Sequence, residues 1–155
     1  MDSRPGADEL SKVMKGIRKV QTQLIERHNV GWFDGGCYTL ASALHQLMGQ
    51  GVTPYHVSRS SLNRDHAVVR LGEADAYLDA DGIQTQLRLF RKMRVEESTP
   101  VTMCAPFTNL NDYPIYQDVV DALMDAWEAQ GLTLIRPLTS SPTGTAKKGV
   151  AYDVT

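Results

Sequence analysis

Up to Met48 the apolar residues of this chain recur every three or four positions, and from Gly51 to about residue 80 they fall in short runs bounded by polar turns. This change from a helical to a strand period, with helical patterns returning in the second half of the chain, limits the fold more than any other feature. It calls for helices that pack against a sheet without alternating with its strands, which is the α+β arrangement. Over about residues 8–28, Leu10, Val13, Met14, Ile17, Val20, Leu24 and Ile25 form one apolar stripe among polar residues. "NVGWFDGG" interrupts the pattern with three glycines. A second amphipathic helix over 37–48 carries Leu40, Ala43, Leu44, Leu47 and Met48, and Gly49 and Gly51 mark its end. The strand-like runs follow: "TPYHVS" around 53–58, "HAVVRL" at 66–71 and "AYLDA" at 76–80. With "SSLNRD" and "GEAD" between them they read as an antiparallel meander.

After an Asp81-Gly82 turn, "QTQLRLFRKM" predicts a short helix, and "VTMC" at 101–104 a further strand. In "NDYPIYQDVVDALMDAWEAQG", Asp112 is the expected cap, Pro114 lies near the first turn, and the apolar stripe runs from Tyr116 to Trp127. "LTLIR" suggests a last strand. From about Thr139 the chain is poor in bulky apolar residues, the expected composition of a mobile tail. The 155 residues suit a single domain over 1–138 followed by that tail at 139–155.

Charge excludes some functions. A formal net charge of -2 gives no sign of a nucleic-acid or anionic-membrane partner. The basic run "RLFRKMR" at 88–94 reads as a solvated helix face. No apolar stretch reaches the roughly 20 residues that span a bilayer, and "MDSRPGADELSKV", acidic early and without an apolar h-region, does not read as a secretion signal. Two cysteines, Cys37 and Cys104, suit a reducing cytoplasm. The expected setting is cytoplasmic, as for a phage protein or an effector exported without a cleavable signal. No CxxC or HxxxH pairing supports a metal site, and no cofactor motif is present.

One address invites chemistry. In "DGGCYTLASALH", Cys37 stands behind Gly35 and Gly36 where a helix begins. Unpaired N–H groups and the positive end of the dipole favour a thiolate there, and the Cys37 N–H can contribute to an oxyanion hole. A small packing residue at a helix start is the competing reading. Of the four histidines His66 is the best placed base, since it opens a strand after a polar loop. Asp79 follows in "YLDADG" on the next strand, where a short turn can bring the two side chains to one face. Asp81 shares its parity and is the alternative orienter. His45 reads as a packing or surface residue, His56 as structural, and His28 as a cation at a helix end. Trp32, Phe33, Gly36 and Tyr38 are the candidates for lining an acyl site. No Gln precedes Cys37 as a side-chain oxyanion donor, and Asn29 is the nearest amide.

"GGCYTLASALHQLMGQGVTPYHVS" and "DHAVVRLGEADAYLDADG" together resemble the core of transglutaminase-like and papain-like cysteine enzymes, over about residues 31–82. In those families a Cys starts a helix, a His opens a strand, and an Asp or Asn sits on the following strand. The matching positions are Cys37, His66 with Ala67, and Tyr77 with Asp79. The Trp that often follows His-Ala in transglutaminase-like domains is Val68 here. Gly35, Gly36 and "YLDADG" also resemble arylamine N-acetyltransferases, although the chain is far shorter and has no Arg before the glycines. The resemblance implies a papain-like core with N-terminal helices on a small antiparallel sheet. It implies a cofactor-free hydrolase or acyltransferase acting on a peptide or protein amide, as a thiol protease, deamidase or transglutaminase-like enzyme. Cys37 would be nucleophile, His66 base and then acid, and Asp79 orienter. The alternative is a catalytically silent shell that binds a protein partner as an effector or inhibitor.

Overall fold

A computed structural model describes residues 5–59, 65–97, 103–106 and 114–133. Four helices and a five-stranded antiparallel sheet make up this part of the chain, an α+β fold. Helix α1 (Ala7–His28) and helix α2 (Cys37–Met48) are followed by a 3-10 turn (Gly49–Gly51) and strand β1 (Val52–Ser58). Then come β2 (His66–Leu71), β3 (Tyr77–Asp79), β4 (Gly82–Gln84), α3 (Gln86–Glu97), β5 (Met103–Pro106) and α4 (Gln117–Ala129). The sheet order is β4-β3-β2-β1-β5, so β5 crosses to the free edge of β1. No helix among the described residues is long and apolar enough to cross a membrane.

Helix α2 is the hub. The spacing predicts an amphipathic helix, but ten of its twelve residues are buried and only His45 and Gln46 are partly open. It packs on β1, β2 and β3 and also on α4, so little of its circumference is left for water. Helices α1 and α4 pair closely. At Gly16 an added Cβ would lie 2.5 Å from the Trp127 ring, and Trp127 donates from Nε1 to the Val13 carbonyl at 2.9 Å. A side chain larger than hydrogen would push the helices apart.

The sheet is covered on both faces, which is why "HAVVRL" reads as a continuous apolar run. Ala67, Val69 and Leu71 belong to the main core with α2, while Val68 joins Val57, Tyr77, Leu89 and Met93 beneath α3. Strand parity puts His66 with Val68 and Asp79 with Tyr77, both on the α3 face.

Several boundaries differ from expectation. Strand β4 is only three residues, too short for a period of two to show in the sequence. Helix α4 starts at Gln117 with Tyr116 as N-cap, and Pro114 precedes it. Its start is set by tertiary anchors: the Tyr116 N–H donates to Thr39 Oγ1 at 2.9 Å, and the Tyr116 ring stacks on His28 at 4.0 Å. Asp112 lies outside the described residues, as do residues 60–64 of the "SSLNRD" turn, most of "LTLIR" and the expected tail. Leu132 and Thr133 are not strand. Gly131, at φ 88°, closes α4 with bonds from its own N–H to Glu128 and from the Leu132 N–H to Trp127.

Candidate active site

The two glycines before Cys37 have different tasks. Gly35 takes φ 121°, which an L side chain rarely adopts. Gly36 has an ordinary φ of -95° but no room, since a Cβ would stand 2.8 Å from the Gly31 carbonyl oxygen and from Leu24. Its N–H donates to that same carbonyl at 2.9 Å. The absence of a side chain at Gly36 is thus accounted for by close packing on Leu24 and the Gly31 carbonyl, and its own N–H is spent on that carbonyl. The result is a tight turn that starts α2 at Cys37 with no side-chain cap and no acid in its first turn. The first N–H groups of α2 therefore keep their positive character around a thiol that is 4% exposed and not in a disulfide.

His66 and Asp79 meet as the sequence proposes. The imidazole Nε2 lies 2.9 Å from Asp79 Oδ2, and both side chains are 1% exposed. Asp79 is completely satisfied. Oδ2 also accepts from Lys92 Nζ at 2.7 Å, while Oδ1 accepts from the Asp81 N–H at 2.9 Å and from Gln84 Nε2 at 2.8 Å. Four donors fill the acceptor sites of a carboxylate, which is what its burial as an anion requires. Burial opposes the charge on Asp79, but the His66 hydrogen bond and the charges of His66 and Lys92 hold its carboxyl below the usual range. With Asp79 ionised, Nε2 carries the proton and donates it.

Nδ1 is the ring atom left for the thiol. It has no partner at full hydrogen-bond geometry, yet Cys37 is near enough to favour a proton on the ring by hydrogen bonding and by charge. Such contacts are commonly long before substrate binds. Burial works against a charged imidazole, but Asp79 and Cys37 together raise His66 to about 9. Phe33 tilts over the ring at 5.1 Å between centroids and carries Lys92 Nζ 4.8 Å above its own face.

Other expectations resolve differently. Asp81 does not orient His66: its side chain is 53% exposed and pairs with Lys92 at 3.0 Å. Trp32 and Tyr38, expected to line an acyl pocket, are 4% and 5% exposed within the core cluster that also holds Cys37. Their bulk is used in packing. Trp32 Nε1 nonetheless has no hydrogen-bond partner among the described residues, a buried donor the fold leaves unspent. Asn29 is no oxyanion donor by placement: it is the left-handed C-cap of α1, at φ 57°. His45 is largely buried and burial lowers its pKa, as a packing histidine. Lys92 and Gln84 were not legible as site residues. Lys92 belongs to the basic run read as a solvated face, and only its position beside the buried Met93 hints at an inward reach. No group of three or more His, Cys, Asp or Glu side chains among the described residues is arranged to hold a metal.

Comparison of the chain with protein-family models, with curated proteins and with solved structures finds no match in any of the three.

Proposed function

We propose that this protein is a cysteine-dependent acyl hydrolase or acyltransferase acting on a peptide or protein amide, built on a papain-like or transglutaminase-like core. The observation that carries the reading is the convergence of Cys37, His66 and Asp79 from the start of α2, the start of β2 and the end of β3, with the imidazole bonded through Nε2 to a buried carboxylate. That order of elements is also what supports the finer fold assignment.

In the reaction, Cys37 Sγ attacks the substrate carbonyl as a thiolate, its proton held on His66. The carbonyl π electrons move to oxygen, where the Cys37 N–H and its neighbours at the start of α2 face the developing charge. Collapse of the tetrahedral adduct breaks the C–N bond, and His66 gives its proton to the leaving amine. Neutral His66 then takes a proton from water or from an acceptor amine as its oxygen or nitrogen attacks the thioester carbon. Collapse of this second adduct breaks the C–S bond, releases the acid or the new amide, and restores the Cys37 thiolate beside the protonated imidazole. Asp79 keeps the ring oriented and stabilises its charge throughout.

The near-complete burial of Cys37 favours the second reading, a silent shell that acts by binding a protein partner. Intact-mass spectrometry after exposure to p-nitrophenyl acetate separates the two. The enzyme reading expects one acetyl group on Cys37, absent from Cys37→Ala and formed much more slowly in His66→Ala. Acetylation of surface lysines alone, with Cys37 unmodified in folded protein, would overturn it.

A further inference from the structure

An open cleft of about 800 Å³ lined by Asp81, Ile83, Gln84, Arg88, Arg91 and Lys92 adjoins Asp79 through the side chains that bond it. Its charges are uneven, with three cations against one carboxylate. Lys92 is already committed, at 2.7 Å to Asp79 and 3.0 Å to Asp81. Arg88 and Arg91 are exposed and have no ion-pair partner among the described residues. They lie three apart on α3, on the same face as Lys92, a placement in which like charges repel and an isolated helix loses stability. The fold therefore holds two guanidinium groups together at a concave surface without neutralising either one. Two residues of that surface bond Asp79 directly, Lys92 at Oδ2, the oxygen that also meets His66, and Gln84 at Oδ1.

We propose that this cleft binds an acidic segment of the peptide or protein substrate, with Arg88 and Arg91 taking carboxylates beside the Cys37–His66–Asp79 site. The inference rests on the amide-acyl reading above and adds a substrate class to it. A planar guanidinium fork matches a carboxylate in bidentate geometry. The volume is that of a pocket for a few side chains, and it is not an extended basic stripe of the kind that follows a phosphate backbone. Ile83 supplies an apolar wall for the methylenes of a glutamate, and Asp81 at the rim repels any further anion.

The test is fluorescence anisotropy of a labelled short poly-glutamate peptide against wild type, Cys37→Ala and Arg88→Ala/Arg91→Ala, with a labelled single-stranded oligonucleotide as competitor. Binding to Cys37→Ala is expected to match wild type, so a failure of the acyl chemistry leaves this readout intact. Loss of roughly tenfold in affinity per guanidinium removed is the expected result, and both arginines are exposed, so the fold is not at stake. Absence of binding, equal binding by the double variant, or tighter binding of the oligonucleotide than of the peptide would each overturn the proposal.

Discussion

Two histidine–aspartate pairs in this molecule share a 2.9 Å separation and nearly every accessory part. His28 at the end of α1 meets Asp118 in the first turn of α4, Arg27 adds a second cation at 3.4 Å, and Tyr116 stacks on the imidazole. His66 meets Asp79, Lys92 adds the second cation, and Phe33 tilts over the ring. What separates them is solvent and sulfur. The His28 and Asp118 side chains are 23% and 37% exposed, where water screens the pair and its contribution is small. The buried pair is screened by nothing, has its carboxylate saturated with donors, and stands next to Cys37. A half-exposed pair at a helix junction ties two helices together; the same constellation buried beside a thiol is the arrangement on which the proposed chemistry rests.

The comparison can be broken most directly through the reaction. Removing a general base costs roughly 100- to 10,000-fold in rate, so His66→Ala should slow acetylation of Cys37 by that range while His28→Ala leaves it unchanged. Equal effects in the two variants, read by the same mass-spectrometric assay, would mean that the buried pair is structural. Stability distinguishes the carboxylates. Asp79→Asn leaves the Lys92 ammonium and a charged His66 without their anion and should cost about 3–5 kcal/mol in chemical denaturation. Asp118→Asn should cost under about 1 kcal/mol.

The pH dependence sharpens the contrast further. His66 is raised to about 9 in the folded chain from an ordinary value of 6.5. Its stabilising contribution is complete below pH 6.5 and is lost as the pH rises through 9. The slope over that window is at most about 1.4 kcal/mol per pH unit, and His66→Gln should remove it. Asp79, held below its ordinary value, contributes in the opposite sense: its share is present above pH 3.8 and lost as the pH falls further. The smallest expected effect concerns the aromatic lids. Phe33→Leu keeps apolar cover over His66 but removes the ring beneath Lys92, a cation–π contact worth about 0.5–1 kcal/mol. Urea midpoints of this variant and of Tyr116→Leu would show whether the two lids are equivalent.

Much of the frame is legible in the residues themselves. Helical spacing delimits α1 and α2 to within a residue, and the run 66–71 marks β2 at both ends. Gly-Gly-Cys at a helix start, His at a strand start and Asp one hairpin later are the local patterns that single out the three side chains that the fold brings together. The choice between Asp79 and Asp81 is not legible. Both have the parity to face His66, and the pairing Asp79↔Gly82 makes Asp81 part of the tight connection, leaving its side chain in water. Trp32 and Tyr38 show the opposite limit: the sequence places them beside Cys37, but that all three share one core cluster depends on packing that the sequence does not show.

What the sequence by itself determined is the longer elements, α1, α2 and β2 above all, and which chemical groups each carries, because helix and strand periods and glycine at a left-handed φ are local properties. Only the tertiary structure decided the surroundings of those groups. The all-round burial of α2, the start of α4 at Tyr116, and the four donors around Asp79 depend on contacts between segments that local patterns do not pair. Lys92 is the clearest case. Periodicity records that one face of α3 is buried, but the sheet beneath it decides that a lysine at the edge of that face reaches Asp79 instead of water, since the compensation a buried carboxylate demands comes from whichever donors the packing brings within about 3 Å.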